Sequence, residues 1–303
     1  MATTIEKIVD LFDTKIGDVQ IARGGTFSRT VGQEDIESVG DGVAGAQAID
    51  SGPISIAGEL RCGDPLIVPS VAALTWPALI GASGRLKGTT TLRRIGILHA
   101  MLTGMSMEIA ENAGGAATFS FRNRAVLGAV TTLAAEAPTS TPTSITVPSR
   151  RNTIKILSST FTPIGEAAIT IRGMTRFAWQ FQGQPMGRTA TPGSDIDDEV
   201  DVGNLRFTGS VDFEDFAVID GLTMPLYLTA CKRGTLSMVC RRAGQDNDAS
   251  PPANVVINVY RLKFRGSSES ANTKDDARGG LEFNQVMVAG ETVYTLADMI
   301  AAA

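Results

Sequence analysis

Hydrophobic and polar residues alternate along most of this chain, at the two-residue period of a strand with one buried face. The alternation runs through Val19 and Ile21; Ile54, Ile56 and Leu60; Phe119 and Phe121; Ile154 and Ile156; Ile169 and Ile171; and Phe177, Trp179 and Phe181. It continues through Leu205, Phe207, Val211 and Phe213; Leu236, Met238 and Cys240; Val255, Ile257 and Val259; and Leu281 and Phe283. That pattern predicts a mainly antiparallel β protein. Two stretches carry a helical period instead. Ile5, Ile8, Val9 and Phe12 fall at i, i+3, i+4 and i+7, with Thr3 and Glu6 at capping-box spacing, and predict a helix over 3–15. Ile95, Ile97, Leu98, Met101, Leu102 and Met105 predict a second, weakened by Gly96 and Gly104.

Part of the pattern occurs twice. Ile54-Ser55-Ile56-Ala57-Gly58-Glu59-Leu60 is echoed by Leu205-Arg206-Phe207-Thr208-Gly209-Ser210-Val211, and 209 minus 58 is 151. Arg23-Gly24 precedes the first copy and Arg172-Gly173 the second, while Gly32-Gln33 and Gly183-Gln184 are again 151 apart. A period near 150 is far longer than a solenoid repeat and reads as a small β-rich domain duplicated and fused. Ala134 to Arg151, rich in Pro, Thr and Ser, reads as the connector, and its Ser144-Ile145-Thr146-Val147 has the pattern of an edge strand. The expected organisation is therefore an N-terminal arm or helix over 1–17, a first β domain over 18–135, a linker over 136–152 and a second β domain over 153–303. The polar stretches Gly32 to Gly52 and Gln182 to Gly203 sit at matching places in the two halves and read as long loops projecting from one face. Gly244 to Ala253 and Gly266 to Gly280 read as further polar loops.

Composition narrows the function classes. The chain has 303 residues, 43% hydrophobic against 19% charged, which is lightly charged for a lone soluble monomer. The formal charge of −5 is spread over both halves, so no basic domain is present to hold nucleic acid by its phosphates. Cys62, Cys231 and Cys240 form no CxxC pair and read as thiols in a reducing cytosol, with Lys232-Arg233-Gly234-Thr235 placed to turn a hairpin between the last two. Thr4-Ile5-Glu6-Lys7 is followed by acids, unlike a leader peptide, and Pro65, Pro69 and Pro77 break the uncharged stretch Pro65 to Gly84, so no membrane span is expected. That stretch reads as buried against protein.

Catalytic chemistry has little to stand on. His99 is the single histidine and lies in an apolar run. Neither a nucleophile elbow nor H-E-x-x-H occurs, and in Gly81 to Thr89 the lysine, Lys87, precedes Gly88 instead of following it as in a phosphate loop. Gly40-Asp41-Gly42-Val43-Ala44-Gly45 satisfies G-x-G-x-x-G, but no apolar strand leads into it and Gly52-Pro53 would stop a following helix. No enzyme, cofactor or metal is expected. The run Asp195, Asp197, Glu199 and Asp201 would share one face of an extended segment, yet Val200 and Arg206 stand where a calcium loop needs Gly and Glu. Two other classes compete on the residues alone: a two-domain adhesin or carbohydrate-binding module, whose stacking aromatics are here dispersed, and a hydrolase built on carboxylates such as Glu59 or on His99.

Two β-rich halves, a glycine-centred strand in each, matched loops and an amphipathic N-terminal segment together resemble the tail tube proteins of tailed bacteriophages. The resemblance covers Asp18 to Gly63 and Ile169 to Asp212, with the late strands Thr118 to Gly128 and Val256 to Gly266 as a further pair 138 apart. It implies two tandem β-sandwich or β-barrel domains with a small helical insertion. A sheet of each would line a hollow ring, three copies making a pseudo-sixfold ring, and stacked rings would form a tube. The implied partners are the chain itself, other tail proteins such as sheath, tape measure, tip or terminator, and double-stranded DNA passing through without specific binding. The implied location is the virion tail, assembled in the host cytoplasm; a tail-tip or terminator ring is the near alternative. On this reading Asp195, Asp197, Glu199, Asp201, Asp212, Glu214 and Asp215 are candidate lumen or rim carboxylates. Trp76, Leu79 and Ile80 are candidates for contacts between subunits, or else for core.

Overall fold

The computed structural model describes residues 8–21, 25–37, 47–86, 92–110, 115–123, 133–136, 154–188, 199–214, 232–242, 254–272, 275–286 and 295–303. Its elements are strands almost throughout. The first eight are β1 Ile8–Ile16, β2 Val19–Ile21, β3 Gly25–Glu37, β4 Gln47–Cys62, β5 Ala78–Leu86, β6 Leu92–Ala110, β7 Ala116–Asn123 and β8 Leu133–Glu136. The next eight are β9 Ile154–Pro163, β10 Ile169–Thr170, β11 Met174–Arg188, β12 Glu199–Phe213, β13 Gly234–Arg242, β14 Asn254–Asn272, β15 Asp275–Gln285 and β16 Ile300–Ala302. One short helix, α1 Val68–Ala72, follows a 3-10 turn at Pro65–Ile67, whose start is capped by the Asp64 carboxylate accepting from the Leu66 N–H at 3.1 Å. All pairings are antiparallel, and they join into one large sheet that does not close on itself.

The pairing order of the first eight strands recurs in the next eight. β2-β1-β5-β6-β7-β4-β3, with β8 added on β6, is matched by β10-β9-β13-β14-β15-β12-β11, with β16 added on β14. β6 and β14 are both 19 residues long, and 272 minus 110, like 254 minus 92, is 162. Their registers agree residue for residue: Leu102 is opposite Phe121 as Phe264 is opposite Phe283, and Ile97 is opposite both Ile80 and Leu133 as Val259 is opposite Leu236 and Ile300. Even the irregularities correspond. β6 and β14 shift register around Thr103 and Arg265, also 162 apart, and the two long hairpins shift at Gly32 and Gly183. Among the described strands, one further pairing, β11 with β6, joins the two sets.

Several expectations from the sequence are corrected. Residues 8–16 of the expected N-terminal helix are β1; residues 1–7 lie outside the described residues. β1 turns through Gly17 (φ 54°) into β2 and pairs with β5, so β-branched Ile8, Val9, Thr14 and Ile16 are accommodated as strand, where tertiary pairing outweighs local period. β1 takes the place β9 holds in the other set. Ile95 to Met105 is also strand. Along β6, Ala100 and Leu102 are buried, then Met105, Met107 and Ile109, so the register shift at Thr103 changes the buried phase and imitates a helical three-residue step. The helical insertion is instead α1. Gly32 to Gly52 and Gln182 to Gly203 are largely the strands of hairpins β3–β4 and β11–β12, and Gly266 to Gly280 is mostly β14 and β15. The expected linker begins with β8, while Ser144 to Val147 and Gly244 to Ala253 lie outside the described residues. The match of Thr118–Gly128 with Val256–Gly266 also gives way: β7 has its counterpart in β15, since each pairs with the glycine-centred strand, Gly58 with Phe121 and Gly209 with Phe283.

The core is continuous across both sets of strands. Phe161, Phe177, Trp179, Phe213 and Phe283 are among its largest members, with Phe177 and Phe283 stacked at 6.0 Å and Phe161 edge-on to Phe264 at 4.9 Å. One polar network is sealed inside. The Trp179 indole N–H donates to Gln285 Oε1 at 2.7 Å, and Gln285 Nε2 donates to the carbonyls of Tyr260 and Met299, both at 2.7 Å. Pro65, Leu66, Val68, Val71 and Ala72 are buried as the sequence suggested; α1 packs on β16, and Asp64 bonds Arg242 at 2.9 Å, tying the first set of strands to the second.

Cys62 and Cys240 are buried, and Cys231 lies outside the described residues. Burial pushes the Cys240 thiol up to about 12. At pH 8 its thiolate fraction is then about one in ten thousand, and the thiolate is the nucleophile. Iodoacetamide is accordingly expected to leave Cys240 unmodified in the folded protein and to label it fully in denaturant, read by peptide mass. Rapid native labelling would contradict the burial.

Candidate functional site

Eight strands lie side by side in the order β14-β15-β12-β11-β6-β7-β4-β3, and this band is the candidate site. Period two gives it two unlike faces. On β11, Phe177, Trp179 and Phe181 are buried, while Arg176, Ala178, Gln180 and Gln182 are half-buried or exposed. The division continues on β12, with Phe207, Val211 and Phe213 against Arg206, Thr208, Ser210 and Asp212, and on β6, with Met105, Met107 and Ile109 against Gly104, Ser106 and Glu108. β7 offers Thr118, Ser120 and Arg122 on the same open side, β4 Glu59 and Arg61, and β15 Glu282 and Asn284. From β15 through β4 the described open face is a carpet of small polar residues and charges, several of them paired. Two depressions lie on it, one around Gly104, Gly183 and Arg206, the other around Glu108, Arg176 and Glu282; neither lining contains a histidine or cysteine.

Several of the charges on this face are paired locally, although exposed Arg206 is not among them. Arg176 on β11 reaches Glu108 on β6 at 2.7 Å and Asp212 on β12 at 3.4 Å, straddling the join between the two sets of strands. These partners, the Glu108 hydrogen bond first, hold the Arg176 guanidinium above its ordinary pKa. Its side chain is 40% exposed, so the pair adds well under about 1 kcal/mol to stability after solvent screening. Arg61 meets Glu59 at 2.8 Å, and Arg265 meets Glu282 at 3.8 Å. A net-acidic or neutral wall was the expectation that came with the tube resemblance, and the two signs meet on this face. The described face carries arginines and carboxylates in nearly equal number.

No protein-family model matches this chain, and no curated protein matches it. Its function must be argued from the band itself.

The candidate residues fall in different places. Asp212 lies on the open face, half-buried, in the Arg176 cluster, and Glu214 is exposed just past the end of β12. Glu199 and Asp201 stand in β12 opposite Arg188 and Met186, whereas Asp195, Asp197 and Asp215 lie outside the described residues. Ile80 is fully buried in the chain's own core, so its surface is taken up within the molecule. Trp76 and Leu79 are half-buried; Trp76 lies 6.0 Å from Phe121, and its indole nitrogen has no hydrogen-bond partner among the described residues. His99 is half-buried on β6, and Glu59 is engaged by Arg61. Among the described residues no three His, Cys, Asp or Glu side chains gather as metal ligands, and no helix is long and apolar enough to cross a membrane.

Sequence reasoning missed the Arg176–Glu108–Asp212 cluster and the buried Gln285. The cluster had no local signal, because its three members come from three different strands.

Proposed function

We propose that this protein is a structural subunit of a bacteriophage tail tube, two tandem related β domains per chain, with three copies forming a pseudo-sixfold ring and rings stacking into a conduit. The observation that carries the reading is the band: eight contiguous strands, buried on one face and open and polar on the other wherever their side chains are described, with no described partner strand beyond either end. A lone soluble protein has to shield such edges, whereas a ring pairs them with a neighbour's and so ends lateral growth. The recurrence of one pairing order in β1–β8 and β9–β16 supports treating the chain as two like units. The open face suits a wall past which DNA slides. Each unmatched cation on such a wall would bind phosphate through counterion release, and here Arg61, Arg176 and Arg265 already stand beside carboxylates. The partners on this reading are further copies, the tape measure inside, a sheath where the tail contracts, and tip and terminator proteins at the ends.

Immunogold labelling of virus particles released from cells that make the protein tests this. Label along the whole tail is expected; label confined to one end would make the chain a tip or terminator ring, and absence from particles would overturn the reading. Purified assemblies should also leave double-stranded DNA unretarded in a gel at 0.15 M salt.

A further inference from the structure

We propose that β3 of one copy pairs antiparallel with the Gly266–Asn272 end of β14 in the next copy, in the register that β11 and β6 adopt within the chain. The inference rests on the ring reading above and specifies its lateral contact.

Along Gly104–Glu108, β6 is paired on both sides, with β7 and with β11. Its counterpart in β14, Gly266–Ser270, pairs with β15 on one side and with no described strand on the other. β11 is likewise paired on both sides, with β12 and β6, whereas its counterpart β3 pairs, among the described strands, with β4 alone. The two unpaired edges are therefore the counterparts of the two edges that meet at the internal join. They also terminate the eight-strand band at opposite ends. Repeating the internal join between copies continues the band with every unit in one environment, and a head-to-tail contact of this kind closes into a ring when its rotation permits.

The register follows from shared partners. Phe27 is opposite Gly58 as Trp179 is opposite Gly209, so Phe27 corresponds to Trp179 and Ser28 to Gln180. Ser106 corresponds to Ser268, and Glu108 to Ser270, through the 162 offset of β6 and β14. Because Gln180 is opposite Ser106 and Ala178 opposite Glu108, Ser28 should face Ser268 of the next copy, and Thr26 should face Ser270. The bulges agree with this. The β11 pairing on β6 begins at Gly104, just past the register shift at Thr103, and the matching shift at Arg265 precedes Gly266.

Directly opposed residues of antiparallel strands have Cα atoms about 4.5–5.5 Å apart, within the span of a disulfide. Full-length protein carrying Ser28→Cys with Ser268→Cys, and separately Thr26→Cys with Ser270→Cys, is assembled, oxidised and run on a non-reducing gel. Loss of the monomer band into covalent multimers is expected for both pairs. Ser28→Cys with Lys263→Cys should stay monomeric, since five residues displace that site by about 16 Å along the strand. If wild-type protein forms rings but neither pair links, this junction is overturned while the ring reading survives. A faster-migrating monomer would mean that the edges meet within one chain, and wild-type protein that never assembles would overturn both.

Discussion

Trp179→Ala is expected to lower the unfolding free energy by about 3–5 kcal/mol, the range for deleting a large buried aromatic and leaving its cavity. Trp179 is 1% exposed and sits on the core side of β11 beside Phe207, with ring centroids 6.4 Å apart. Its loss also strands a polar group. Gln285 holds the backbone carbonyls of Tyr260 and Met299 through Nε2 and takes the indole N–H through Oε1, so alanine leaves that oxygen buried without a donor. Trp179→Phe separates the contributions, because most of the packing stays while the bond goes; about 1–3 kcal/mol is expected. Urea unfolding at one fixed protein concentration reads both values. Equal losses for the two variants would assign the whole effect to the hydrogen bond, and a loss below 1 kcal/mol for alanine would contradict the packing described.

The second large effect is expected at Gly209, the centre of the repeated strand pattern. A Cβ there would lie 2.3 Å from Phe283 Cζ and 2.4 Å from the Ala178 carbonyl oxygen. The carbonyl is backbone of β11, paired with both β12 and β6, and cannot retreat cheaply. The ring is confined too, stacked on Phe177 and edge-on to Phe264 at 6.4 Å. Gly209→Val should therefore cost about 3 kcal/mol or more, at or beyond the usual upper range for overpacking a filled core. Phe283→Leu in the same chain should return part of that loss, because the neighbours are coupled. Thermal unfolding of the single and double variants decides it, and a Gly209→Val protein as stable as the parent would show that the ring does not lie where described.

These two residues also mark what the sequence made legible. Gly58 and Gly209 stood out as repeated glycines in apolar strands, and each is opposite a phenylalanine, Phe121 or Phe283; at Gly209 the ring fills the space a Cβ would need. Strands with clean alternation, β11 and β13 above all, were readable because one face is buried along their described length. β6 was not, because its register shifts break the alternation and a strand with a phase change has the local spacing of a helix. β1 misled for the opposite reason: of the four apolar residues that matched a helical face, Ile8, Val9 and Phe12 lie in a strand held by distant pairing with β5. The paired charges of the open face were invisible to net charge, since Arg176, Glu108 and Asp212 meet from three strands far apart in sequence.

Cryo-electron microscopy of the purified, concentrated protein tests the central claim most directly. Class averages down the symmetry axis should show a threefold ring of six similar lobes around an open bore. Single compact particles at every concentration, or a closed assembly without a bore, would contradict it.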